Sequence, residues 1–375
     1  MDFTLDSEQK ALRDAVRGLL SSTYDSTETR RDVVKDDPGF SEQTWGRLAE
    51  LGALGLPFSE EDGGFGAGPV EVSIVAEEIG RVLAPEPYVE SVVLAGGLVA
   101  ALGTAEQRQD LIGRLAEGSL VLAFADHDLG GPVTASESAG SWTLSGVKEP
   151  VLHGARADVL LVTAALPAGG RGVFVVDGSA FENGAAQRTG YRTHDGSRAA
   201  RVAFDGTSAV PLGEAGDASE AIAGAVAGAQ VAYGHEALGA MDFALRTTTE
   251  YLKTRKQFGV PLSTFQALTF RAADMYVSME LVRSTVSWAT LVLADEPARA
   301  VEAASRAKLQ VSRAARHIGQ EAIQLHGGIG MTAEYSVGHY VSRLTAIEHT
   351  LGTGADHLRT LADSVADHGV VDPLP

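Results

Sequence analysis

The chain has 375 residues, 49 acidic against 30 basic side chains, a net charge of −19 and no cysteine. That length points to two or three domains, and a composition that is 45 % hydrophobic is ample for their cores. The acidic balance argues against nucleic acid or anionic membrane as partners, and the lack of cysteine excludes disulfides, thiol nucleophiles and Cys-ligated metals.

Met1-Asp2-Phe3-Thr4 leads straight into a charged helix rather than a signal peptide. No apolar run approaches the roughly 20 residues of a membrane span. The expectation is a soluble, cytoplasmic protein.

Residues 1–118 read as a helical domain. Asp6 or Ser7 caps a helix whose Leu12, Val16, Leu19 and Leu20 sit at helical spacing. A second amphipathic stretch surrounds Trp45, Leu48 and Leu51 and ends at Gly52. Glu60 to Gly64 is a turn. Helices resume through Val75-Glu78-Ile79, through Val93-Leu98-Leu102 with Gly103 as terminator, and from Gln107 to Leu115.

Between 119 and 213 the period changes. Short β-branched runs at Leu120–Phe124, Trp142–Leu144, Val159–Val162, Val173–Val176 and Val202–Phe204 alternate with Gly, Asp and Ser clusters. This predicts a small antiparallel sheet or barrel. From 214 to 375 the chain is helical again, in long pieces. Three long antiparallel helices and a shorter last one predict a four-helix bundle. The fold class is therefore mainly α with an inserted β domain. There is no dinucleotide fingerprint, no Walker A motif and no metal-spaced His pair, so no metal is expected.

Two segments of the last block carry more information. Thr254-Arg255-Lys256-Gln257-Phe258-Gly259 ends one helix, with Phe265-Gln266 opening the next. Gln324-Leu325-His326-Gly327-Gly328-Ile329-Gly330 ends another. Together they resemble the acyl-CoA dehydrogenase family. So do Asp2 to Gln9, Leu54-Gly55-Leu56-Pro57, Glu77-Glu78-Ile79-Gly80-Arg81, and the stretch from Val202 to Gly213.

The resemblance implies FAD as cofactor and α,β-dehydrogenation of an acyl-CoA thioester. A carboxylate removes the α-proton while the β-hydrogen leaves as hydride. In this family each FAD lies between two subunits. The implied half-site donated to a neighbour is intact here: Arg255, Gln257, Phe258, Gln266, Gln324, Gly327 and Gly328, with Thr353 also implied at the cofactor. Arg255 suits a diphosphate, and the glycines suit close backbone approach.

The half-site that would hold flavin within this chain departs from the family pattern. Ala125-Asp126-His127-Asp128-Leu129-Gly130-Gly131 replaces a longer loop. Pro150 stands where an aromatic covers the flavin, and Leu152 where a hydroxyl approaches it. The usual base position holds Leu351. The alternative base position holds Ala229, with Gln230 in place of the arginine beside it. Among the nearby acids Glu348, Asp356 and Glu236, Glu348 is the candidate base, because on a helix it would share a face with Leu351.

These substitutions suggest a base-lacking subunit of a heteromeric α2β2 acyl-CoA dehydrogenase, completing the FAD site of a related catalytic partner, with a bulky or steroid-derived acyl-CoA as substrate and an electron-transfer flavoprotein as acceptor. The retained length makes the lost base a substitution rather than a truncation. Three alternatives stay open: a self-sufficient homotetramer using Glu348, a flavoprotein of the same fold with another reaction, and a non-catalytic scaffold without FAD.

Overall fold

The computed structural model describes residues 4–365 and Gly369, so Met1, Asp2 and Phe3 of the opening segment lie outside it. Helix α1 (Ser7–Thr23) starts at Asp6 through a capping box. The Asp6 carboxylate accepts from the Gln9 backbone N–H at 2.9 Å, and the Gln9 side chain accepts from Asp6 N–H at 3.1 Å. Helices α2 (Thr27–Lys35) and α3 (Glu42–Glu50) are capped by Ser26 and Ser41. A 3₁₀ turn at Glu60–Asp62 precedes α4 (Pro69–Val82), which carries its proline in the first turn.

The stretch around Val93 is not plain α-helix. Tyr88–Gly96 is a π-helix that runs into α5 (Gly97–Leu102), followed by α6 (Ala105–Ala116). The wider turn buries Glu90 beside Tyr88 and Ser91. Such segments are rare and cluster at functional positions.

Seven strands follow: β1 (Leu122–Ala125), β2 (Thr134–Ser138), β3 (Ser141–Leu152), β4 (Val159–Ala165), β5 (Arg171–Asp177), β6 (Ala186–Arg192) and β7 (Arg198–Pro211). A short helix α7 (Ser179–Glu182) links β5 to β6. The purely antiparallel expectation needs correction. β1 runs parallel to β4, and β2 meets β4 in parallel at Thr134 and Ala165. The reason is that β3 is followed by the turn at His153–Asp158 rather than by a hairpin, so β4 pairs with β5 and not with β3. β4, β2, β3, β7 and β5 close on themselves around Leu144, Leu160, Val162, Phe174, Val202 and Phe204.

Helix α8 (Ser219–Thr254) is the axis of the last block. A two-strand hairpin, β8 (Lys256–Gln257) and β9 (Val260–Pro261), leads to α9 (Gln266–Asp295). Then come α10 (Ala300–His326), α11 (Val337–His349) and α12 (Gly354–Asp363). Helix α4 crosses α8 backbone to backbone. A Cβ on Gly80 would lie 1.8 Å from the Glu236 carbonyl oxygen, and one on Gly239 would lie 2.1 Å from that of Glu77. This crossing seats the first helical block on the bundle. Helix α9 is unusual in being apolar on its outer side as well: Phe270, Tyr276, Val277 and Leu281 are all more than half exposed.

Candidate functional site

The two outward-facing motifs come together at one end of the bundle. Arg255 caps α8, and Gly327 caps α10 with a left-handed φ of 64°. The rings of Tyr251, one turn before Arg255, and His326, directly before Gly327, lie 4.6 Å apart. Tyr335 closes the cluster at 5.0 Å from His326. His326 is fixed by its Nδ1–H donating to the Ala322 carbonyl at 2.8 Å.

Above this aromatic base the motif residues are open. Arg255, Gln257, Gln266, Gln324, Gly327 and Gly328 are exposed, and Arg255 has no ion-pair partner among the described residues. A Cβ on Gly327 or Gly328 would meet nothing within 4 Å. Phe258 is 93 % exposed and adopts φ 53°, beside Gly259 at φ 84°, so the hairpin tip is a turn with both central residues left-handed. The Phe258 ring meets the chain edge-on at Phe265, with centroids 6.2 Å apart, and otherwise faces solvent. A free guanidinium, open glycine backbone and a presented aromatic suit an anionic, planar ligand covered from outside.

Thr353 does not join this group. It is the N-cap of α12, where its hydroxyl donates to Asp356 at 2.7 Å and accepts from the Asp356 backbone N–H.

The inward half is closed by backbone pairing. Leu129 N–H donates to the Val147 carbonyl at 2.9 Å, and Glu149 N–H donates to the His127 carbonyl at 3.0 Å. The segment carrying His127 and Asp128 therefore lies as an added strand along β3. Lys148 is fully buried beneath it, with Nζ on Asp128, Thr163 and the Asp126 carbonyl at 2.6 to 2.8 Å. Pro150 and Leu152 sit at the end of β3 and offer no side-chain donor to a ring system.

Neither Ala229 nor Leu351 carries an acid. Ala229 is completely buried on α8. Helix α11 ends at His349, and Leu351 follows with φ 56°. Glu348 and Leu351 therefore do not share a helical face, which corrects the expectation from spacing. Glu348 is ion-paired with Arg316, and Lys308 Nζ donates to the carbonyls of Ile347 and Glu348. Burial pushes the Lys308 ammonium down to about 8. Asp356 is spent on the α12 cap.

Glu236 belongs to a buried network that sequence reading did not assemble. Arg343 of α11 grips it with Nε at 2.6 Å and Nη2 at 3.1 Å, and reaches Asp195 at 2.8 Å. Glu90 lies 3.9 Å from Arg343 and accepts from the Tyr233 hydroxyl at 2.7 Å. His153, next to Leu152, is buried 3.9 Å from Glu90, and burial holds its pKa down. Burial pushes Glu236 up, with Glu90 and Asp195 adding to the effect against the pull of Arg343. These residues come from all three compositional blocks, so no local motif marks them.

Comparison with known proteins agrees with this architecture. Residues 6–119 match the model described as acyl-CoA dehydrogenase, N-terminal domain, and 220–366 the one described as acyl-CoA dehydrogenase, C-terminal domain. The chain is 29 % identical to acyl-CoA dehydrogenase FadE27 of Mycobacterium tuberculosis (strain ATCC 25618 / H37Rv), over 98 % of this chain and 99 % of that protein. It superposes on a single-substitution variant of the Tcur3481-Tcur3483 steroid ACAD with a TM-score of 0.88 at 32 % identity, covering 97 % of this chain and 99 % of that one. On the ChsE4-ChsE5 complex from Mycobacterium tuberculosis the TM-score is 0.90 at 27 % identity, covering 98 % and 99 %. Members of the matched family are FAD-dependent oxidoreductases acting on CH–CH bonds. With both terminal domain models matched in order and a shared fold over nearly its whole length, the chain belongs to the acyl-CoA dehydrogenase family.

Proposed function

We propose that this chain is the base-lacking subunit of a heteromeric FAD-dependent acyl-CoA dehydrogenase and completes the FAD site of a homologous catalytic partner, in an α2β2 assembly. The observation that carries this reading is the contrast between its two half-sites. The outward one, at Arg255, Gln257, Phe258, Gln266, Gln324, Gly327 and Gly328, is exposed and unpaired. The inward one has Pro150 and Leu152 at the end of β3, a segment at His127–Leu129 paired along that strand, and no acid at Leu351 or Ala229.

In this reading Arg255 neutralises the diphosphate of FAD, and Gly327-Gly328 lets the cofactor approach the backbone. FAD, when bound, supplies the hydride acceptor for dehydrogenation of an acyl-CoA. The base comes from the partner. The exposed apolar face of α9, at Phe270, Tyr276, Val277 and Leu281, supplies surface for the contact between subunits. Similarity to the Tcur3481-Tcur3483 steroid ACAD and the ChsE4-ChsE5 complex supports the two-subunit arrangement and a bulky, steroid-derived acyl-CoA. The acceptor is an electron-transfer flavoprotein, and the setting is the cytoplasm.

Co-expression with a homologous acyl-CoA dehydrogenase subunit from the same organism tests the proposal. The chain alone is expected to purify colourless and to gain FAD and acyl-CoA dehydrogenase activity only with that partner. A yellow, active protein purified from this chain alone would falsify the reading. A pair that forms without flavin would favour the scaffold alternative.

A further inference from the structure

On another flank of α8, helices α1, α4, α8 and α9 enclose a groove of about 780 Å³ that plays no part in the half-sites above. It is within the size range of small-molecule sites. Its walls carry charged and hydroxyl groups and no Phe, Tyr or Trp ring, which makes it ill suited to a nucleobase or flavin. Ile74, Leu238 and Leu291 give it an apolar strip.

Among the polar groups lining it, His235 is only 5 % exposed. Its Nε2 lies 2.8 Å from the Thr290 hydroxyl. That hydroxyl donates its one proton to the Val286 carbonyl at 2.9 Å, so it accepts from His235 Nε2–H. The remaining ring nitrogen, Nδ1, is then an acceptor in the neutral ring. It is buried and has no hydrogen-bond partner. A buried acceptor left unmet is costly and calls for a donor.

The nearest charged atom is Glu77 Oε2, 4.0 Å from Nδ1. Arg81 Nη2 donates to Glu77 Oε1 at 3.2 Å and Arg283 Nη1 lies 3.8 Å from the same oxygen, so Glu77 is held as a carboxylate. Two acceptors 4.0 Å apart leave room for one donor atom within about 2.9 Å of both. An ammonium, with three N–H groups, meets that demand.

The outer part of the groove has the opposite character. Arg283 is partly exposed; its Nε donates to Glu280 at 3.4 Å, while its Nη1 lies 3.8 Å from Glu77, beyond hydrogen-bond length, and stays available to a ligand. Arg17 commits Nε and Nη2 to Glu78 and also lines the groove.

We propose that this groove binds a small zwitterion of the ω-amino-acid type, with its ammonium between His235 Nδ1 and Glu77, its methylene stem on the Ile74–Leu238–Leu291 strip, and its carboxylate on Arg283.

The test is calorimetric titration of the full chain with γ-aminobutyrate and 5-aminovalerate, with butyrate and n-butylamine as single-charge controls. Saturable one-to-one binding is expected for at least one of the amino acids, at least about tenfold tighter than for either control. His235→Phe keeps the ring volume and removes the acceptor, and is expected to weaken binding by about tenfold or more. Ser287→Met narrows the groove without removing a polar partner and decides the matter if the His235 variant does not fold. Failure of both amino acids to bind, binding of n-butylamine as tight as theirs, or undiminished binding in Ser287→Met each overturns the proposal.

Discussion

Gln230 donates its side-chain amide to the backbone carbonyl of Leu351 at 2.8 Å. The residue after Ala229 is thus tied to Leu351 by a structural hydrogen bond. His357 Nε2 approaches the same carbonyl at 3.3 Å, and Lys308 holds the carbonyls of Ile347 and Glu348. The turn from Thr350 to Thr353 is therefore a pinned connection rather than an open catalytic loop. Gln230→Ala is expected to lower unfolding stability by about 1–2 kcal/mol in denaturant titration, and to leave turnover of the assembled enzyme unchanged.

Glu348 faces Arg316 and stands at the end of a helix whose last carbonyls are covered by Lys308. Glu348→Gln in the assembled enzyme is expected to keep the wild-type kcat. A large loss of kcat with KM unchanged would make it the base after all.

Arg255 is exposed and unpaired among the described residues, so its removal takes nothing from this chain's fold. Arg255→Ala is expected to leave the isolated chain as stable as before and to weaken FAD retention of the assembly about ten- to a hundredfold, read from flavin absorbance after dilution and filtration. Full flavin occupancy would remove Arg255 from the cofactor site.

Arg343 is shared by Glu236, Asp195 and Glu90 across the three blocks. Arg343→Met leaves those acids buried without their cation. It is expected to cost about 3–5 kcal/mol in chemical denaturation, far more than loss of an exposed ion pair such as Arg359–Asp356.

Glu86 supplies a pH signature. Burial pushes its carboxyl up to about 7 from 4.5, because its hydrogen bonds from Tyr24 and Ser41 serve one oxygen and leave the other without a partner. A raised acid is protonated in the folded state where the unfolded chain has lost the proton. Its contribution is complete below pH 4.5 and is lost as pH rises through 7. Unfolding free energy is expected to fall by up to roughly 3 kcal/mol over that window, and Glu86→Gln to flatten the slope.

Much of the architecture is legible in the residues themselves. Helical spacing and a cap at Asp6 or Ser7 locate α1, and the change of period near 120 announces the β block. The motif around Arg255 and the Gly327-Gly328 turn, proposed to meet the cofactor, are each short and local in sequence, because each lies at one helix end where backbone and side chain are set locally. The π-helix at Tyr88–Gly96 has no such signature, since its apolar residues fit an α pattern equally well and packing selects the wider turn. The inference that Glu348 shares a face with Leu351 fails for a similar reason: it assumes the helix continues past His349, where the chain instead turns left-handed.

Sequence alone therefore determines the family, the order of helix, sheet and bundle, and the absence of an acid at Leu351 and Ala229. These follow from residue identity and short-range periodicity. Tertiary structure decides that the strand edge beside His127 is closed, that Gln230 ties down Leu351, and that Arg343 gathers Glu90, Asp195 and Glu236. Those partners lie far apart along the chain, so only the closed fold brings them within hydrogen-bond or charge reach. The same holds for His235 and Glu77, whose approach to 4.0 Å depends on α4 crossing α8 at two glycines.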